Sequence, residues 1–127
     1  VAELLVPGKI RVLGQTFTVR VIGRDETFYR GADKDVLGYT DTALQKIELL
    51  GPDEMSAAQA ADTLLHETLH AMTSLFQILP DASETEEEAI IKALTPALMH
   101  TLRDNPKLVA AILTDFDSDE PAHEHVD

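Results

Sequence analysis

Leu64-Leu65-His66-Glu67-Thr68-Leu69-His70-Ala71 is the stretch on which the reading of this chain turns. It lies in a run from Ser56 to Leu79 that contains neither Gly nor Pro. Ser56 followed three residues later by Gln59 forms a capping-box signal, so a helix is expected from there to about Leu79, with Pro80-Asp81 ending it. At about 100° per residue, Ala61, Leu65, Leu69, Met72 and Phe76 fall on one apolar arc. His66 and His70, four residues apart, project from one side of that helix on successive turns, close enough for both imidazoles to bind one ion. Glu67 lies about 60° around the helix from His70, where its carboxylate can reach a metal-bound water without being a ligand. Zinc chemistry needs this arrangement: the ion brings the pKa of its water to about 7, and the neighbouring carboxylate takes the proton as the oxygen attacks a carbonyl. With 5 His and 11 Glu in 127 residues, a chance match to the spacing has a probability of roughly 2%.

A catalytic zinc site with one open position needs a third protein ligand. Thr73 and Phe76 stand where the metzincin pattern has Gly and a third His, and the chain has no Cys for a deformylase-type site. The cluster Glu84, Glu86, Glu87 and Glu88 opens the next helix instead. If that helix begins near Thr85, Glu88 is the capping acid, and Glu87 shares a face with Ile91, Leu94 and Leu98. Glu87 is therefore the expected third ligand, with Glu86 the next choice. Acids also favour helix N-termini through the helix dipole alone.

Around this centre the chain reads as two hairpins and three helices. Phe17, Val19 and Val21 alternate with Thr16, Thr18 and Arg20, the two-residue period of a half-buried strand. Ile10 to Leu13 is its expected partner across a tight turn at Gly14-Gln15. Residues 23–38 read as a loop. A second hairpin is expected from Leu37 to Leu50, turning near Asp41-Thr42 and stopped by Gly51-Pro52. Pro96 lies inside the periodic pattern of the second helix, so a kink or short break is expected there. Asn105-Pro106 begins a last short helix through Leu113. The fold class is α+β, a small antiparallel sheet packed on the His-bearing helix, with a helical C-terminal half.

A chain of 127 residues is long enough for one domain with its own core. The net charge of -13 argues against a nucleic-acid partner, and no apolar stretch is long enough to span a bilayer. Six acids and no Lys or Arg follow Leu113, leaving 17 acids against 10 bases before it. Residues 1–114 are thus expected to form the domain, and residues 115–127 a solvated, disordered acidic tail. The absence of cysteine rules out disulfides and leans mildly towards the cytoplasm. Among other polar residues, Tyr39 or Tyr29 could donate to an oxyanion, and Asp62 could orient His66 from one turn earlier. His100 lies about 220° from Glu87 and is expected to face solvent. His123 and His125 belong to the tail.

Four stretches together resemble a known group: Ile10 to Val19, Leu64 to Ala71, the Thr85 to Glu88 run, and Leu102 to Pro106. The layout resembles the gluzincin-like peptidases. More narrowly, it is similar to small phage and prophage proteins related to the ImmA/IrrE-type metallopeptidases. Only the His-Glu motif is specific among the four. The resemblance implies a minimal zincin fold, zinc on His66, His70 and a Glu, and Glu67 as general base acting on a peptide or protein substrate. It also implies a phage- or prophage-encoded protein in the bacterial cytoplasm. The chain shows no DNA-binding or sensor region of the larger ImmA type, which argues against a repressor-cleaving role. The rival expectation is a non-catalytic phage accessory or assembly module that keeps the fold and a structural zinc.

Overall fold

Leu13 and Gly14 reverse the chain with φ of 51° and 85°. A two-residue turn with both central φ positive matches the right-handed twist of the strands it joins. It connects β1 (Lys9–Val12) to β2 (Gln15–Ile22), with Val12 opposite Gln15 and Ile10 opposite Phe17. The turn thus sits one residue earlier than Gly14-Gln15, because the glycine occupies the second left-handed position. The second hairpin joins β3 (Gly38–Asp41) to β4 (Lys46–Leu50) through residues 42–45. Asp41 Oδ1 accepts from the Leu44 N–H at 2.9 Å, and Gln45 is left-handed at φ 54°. The computed structural model describes residues 6–22, 37–50 and 56–114. Of the loop expected over residues 23–38, Gly38 already belongs to β3, and residues 23–36 lie outside the described residues, as do the Gly51-Pro52 stop, Tyr29, and the acidic tail with His123 and His125.

The two hairpins form one four-stranded sheet in the order β1-β2-β4-β3. β2 and β4 pair in parallel, with Val19 opposite Ile47, while the other two pairings are antiparallel. The sheet is therefore mixed, which corrects the antiparallel expectation. Hairpin signals are local and set only neighbouring pairs. The pairing of one hairpin with the other is set by burial of β4, whose Ile47, Glu48, Leu49 and Leu50 are all buried, as suits a strand covered on both faces.

Ser56 caps α1 (Ala57–Phe76) with the expected reciprocal bonds: its hydroxyl accepts from Gln59 N–H at 3.1 Å and its N–H donates to Gln59 Oε1 at 2.8 Å. The helix ends at a left-handed Gln77, before Pro80. It packs on β3 and β4 and touches β1. Ala71 joins Val12, Phe17, Val19, Ile47 and Leu49 in the main core, flanked by Leu64, Met72 and Leu75. A second cluster joins Ala60 to Ile22 and Leu50. The buried face of α1 is Ala60, Glu67, Leu69, Ala71 and Thr73. Phe76 is 65% exposed, so the expected arc through Ala61 and Phe76 is rotated. A polar residue on the packed face, Glu67, is invisible to hydrophobic periodicity.

α2 (Glu84–Asp104) runs through Pro96 as one helix without a break. The Thr95 hydroxyl donates to the Ile91 carbonyl at 2.8 Å just before the proline. The start of α2 is capped by Ser83, which accepts from Glu86 N–H at 3.1 Å while its own N–H donates to Glu86 Oε1 at 2.8 Å. Glu86, and not Glu88, is therefore the capping acid. The described residues fall into a unit up to Pro96 and a second from Ala97 onward. In the second, the end of α2 is followed by α3 (Pro106–Ile112), with Pro106 in the first turn and no buried residue. His100 is exposed. No helix among the described residues is long and apolar enough to cross a membrane.

Ile47 is fully buried at the centre of the sheet, so Ile47→Ala should cost about 2–5 kcal/mol by lost contact and cavity formation. Leu44, 67% exposed in the turn, should tolerate Ala within about 0.5 kcal/mol. Urea unfolding of the two variants checks this. Equal costs would contradict the placement of the core.

Candidate metal centre

Three elements meet at a cleft of about 750 Å³. α1 contributes Asp62, His66, Glu67 and His70; β3 contributes Gly38, Tyr39 and Thr40; α2 contributes Glu88, Lys92 and Thr95. The helical spacing brings the two imidazoles together as expected, with ring centroids 4.9 Å apart and ring planes at 65°. Each ring is half-buried.

The acid that joins both rings is Glu88. Its Oε1 lies 2.8 Å from His70 Nε2 and its Oε2 lies 3.4 Å from His66 Nε2. One donor atom each from His66, His70 and Glu88 lie within 4.8 Å of one another, so the three can hold a metal ion. Glu87, the acid expected in that place, instead sets its Oε2 2.7 Å from His70 Nδ1, on the other side of the ring. The buried row of α2 runs through Ile91 and Thr95, whereas Leu94 is 44% exposed. Glu87 stands four and eight residues before these two and Glu88 three and seven, so both acids flank that row and each meets one nitrogen of His70. The expected inward face used Leu94 and missed the polar Thr95.

Glu67 is the buried member of the group, at 7% exposure. Its carboxylate Oε1 lies 2.5 Å from the Thr40 hydroxyl, a separation typical of a hydrogen bond to an ionised acceptor. Burial pushes the Glu67 carboxyl above the usual carboxylate range, against the opposing pull of Thr40, His66 and His70. For His70, burial works against the charged form, but the Glu87 and Glu88 carboxylates outweigh it and raise its pKa. Burial also disfavours the Glu88 anion, and the two imidazoles more than compensate, so that its pKa falls. Tyr39 lines the cleft with its phenol pKa raised by burial and by the charges of Asp41 and Glu48, so it stays a hydrogen-bond donor. Asp62 lines the same cleft.

Thr40 and Gly38 were not marked by the sequence reading. The one available signal was their separation of two residues in a strand, which places both on one face of the sheet. Comparison with protein-family models, with curated proteins and with solved structures finds no match.

The metal-free protein should lose stability as pH rises past neutrality. The raised His70 pKa contributes stability that is complete below its unfolded value, near 6.5, and is lost as pH climbs through the folded value. Glu67, also raised, has the same sign, whereas the lowered Glu88 contributes stability that disappears only as pH falls through its folded value. Melting of chelator-treated protein should therefore occur at higher temperature near about pH 6 than near about pH 8.5, roughly half a unit below and two units above ordinary histidine titration. His70→Gln should flatten this slope. An unchanged slope in that variant would show that the pH dependence arises elsewhere.

Proposed function

We propose that this chain is a zinc-dependent hydrolase acting on peptide bonds, with zinc on His66, His70 and Glu88 and with Glu67 as general base. The observation that carries this reading is the state of His70, whose two ring nitrogens both face carboxylates, Glu87 at Nδ1 and Glu88 at Nε2. A neutral imidazole has one N–H and can donate to only one of them. A metal ion held by His66, His70 and Glu88 would supply the positive charge that the second contact calls for. With that cation in place, Glu87 accepts from Nδ1–H and fixes the ring's tautomer and orientation. His and carboxylate donors without thiolate are a set that zinc accepts.

Bound zinc supplies Lewis acidity and acidifies a water, the chemistry that two His and a carboxylate support. The protein's own groups do the rest. Glu67, buried beside the two imidazoles, takes the proton of the attacking water and returns it to the departing amine. A divalent ion nearby would draw its pKa down from the metal-free value, keeping it ionised. Tyr39 offers a protonated hydroxyl on the same cleft for the charge that develops on the carbonyl oxygen. β3 is an end strand of the sheet and lines the cleft, so an extended peptide could be held by backbone pairing, which is tolerant of side-chain sequence. The rival reading, a structural metal in a non-catalytic module, has no use for a base beside the metal, since a closed structural site gains nothing from one. The reading takes residues 1–114 as the hydrolase domain, with the acidic segment outside it.

Purified protein should hold about one zinc per chain, a stoichiometry that His66→Ala, His70→Ala or Glu88→Gln abolishes. Glu87→Gln should keep zinc with affinity reduced about 10- to 100-fold, as for other groups that orient a metal ligand. Glu67→Gln should keep zinc fully while hydrolysis falls by about 10²- to 10⁴-fold. Elemental analysis and peptide-library hydrolysis read these out. Zinc lost from Glu87→Gln and kept by Glu88→Gln would return the ligand role to Glu87. Full turnover in Glu67→Gln would refute the base.

A further inference from the structure

β3 touches Glu67 at two points. The Thr40 hydroxyl lies 2.5 Å from Glu67 Oε1 and 3.0 Å from the main-chain oxygen of the same residue. One hydroxyl hydrogen serves one acceptor at a time, but both acceptors belong to Glu67, so either choice ties the strand to that residue. At Gly38, two residues earlier on the same face, a Cβ would stand 2.8 Å from Thr63 Cγ2 and 3.1 Å from both Glu67 Cγ and Glu67 Oε2. The strand backbone thus lies directly against the Glu67 side chain, with no room for even a methyl group. Gly38 has no positive φ, so its glycine is required by this close approach and not by a turn.

The two contacts treat the two carboxylate oxygens differently. Oε1 is engaged by Thr40. Oε2 lies beside the position where Gly38 carries no side chain, in the cleft that both residues line. We propose that β3 aims the base: Thr40 holds Oε1 of Glu67, and the missing side chain at Gly38 leaves Oε2 as the oxygen that receives the proton. Thr40 is then a positioning residue, acting on the reaction only through Glu67, and the inference rests on the reading of Glu67 as general base. Burial alone does not fix the direction of a carboxylate on three rotatable bonds. A hydroxyl on one oxygen does, and a displacement of about 1 Å at a reacting group is enough to cost about 10²-fold in rate.

The test uses the full chain loaded with zinc, in the variants Thr40→Val, Thr40→Ser and Gly38→Ala. Val matches Thr in shape and suits a strand, so Thr40→Val removes the hydroxyl with little change in packing. Crystal structures should show the Glu67 carboxylate in one position in wild type and Thr40→Ser, with Oε1 on the residue-40 hydroxyl. In Thr40→Val it should turn away or occupy several positions while zinc stays bound. On a peptide that the wild type hydrolyses, Thr40→Val should lower kcat about 10- to 100-fold at unchanged KM, and Thr40→Ser should restore it. Gly38→Ala should retain zinc and lower kcat as well, because its methyl group displaces Oε2. A Glu67 carboxylate held in its wild-type position in Thr40→Val would overturn the inference, whatever the activity. So would wild-type kcat in Thr40→Val. Wild-type turnover in Glu67→Gln would instead remove the base itself, and the inference with it.

Discussion

Burial of the Glu67 carboxylate between α1 and β3 is the constraint that organises the rest of this structure. A charge removed from water must find partners, and the partners of Glu67 fix the register of the helix against the sheet. Thr40 supplies the hydrogen bond from the strand side, and Gly38 supplies the space. Once Glu67 faces β3, helical geometry leaves His66 and His70 together on one side of it, about 60–100° around the helix, opening on the cleft shared with α2. The site is thus a consequence of how the helix docks. The apolar contacts of Ala71 with Phe17, Val19 and Ile47 hold that docking without themselves touching the chemistry.

The electrostatics of the cleft have the same logic. Three carboxylates, Glu67, Glu87 and Glu88, converge on two imidazoles in a chain whose net charge is already -13. Without a metal, His70, its pKa raised by Glu87 and Glu88, is a source of positive charge for those two carboxylates. A divalent cation would take over that role more effectively, and binding would release the imidazole proton, coupling metal affinity to pH. A protein that only needed stability could replace such a cluster with apolar packing at little cost.

Much of this was legible in the sequence because the signals were local. Ser56 and Gln59 marked the start of α1, alternation at Phe17, Val19 and Val21 marked β2, and the His-Glu spacing marked the centre. What the sequence hid was set by contacts between distant segments. The parallel pairing of β2 with β4 leaves no periodic trace, because each strand looks the same in a parallel or an antiparallel pair. The division of the acids was hidden as well. Ser83 takes Glu86 as its capping partner, which leaves Glu87 and Glu88 to meet the two nitrogens of His70, and polar Thr95 is buried where Leu94 is exposed. Thr40 escaped notice because threonine is an ordinary strand residue, and only the tertiary fold brings its hydroxyl to Glu67 across 27 residues of sequence.

The central claim is that one ion is held by two rings of α1 and one carboxylate of α2, with Glu67 beside it and off it. Anomalous diffraction at the zinc edge on crystals of the zinc-loaded chain measures this directly. The account predicts a single anomalous peak within about 2.0–2.2 Å of one nitrogen each of His66 and His70 and of a Glu88 oxygen. It further predicts Glu87 hydrogen-bonded to His70 Nδ1 and one coordination position left to solvent. A peak that is absent from the cleft, that has Glu67 as a direct ligand, or that is closed by four protein ligands would contradict it.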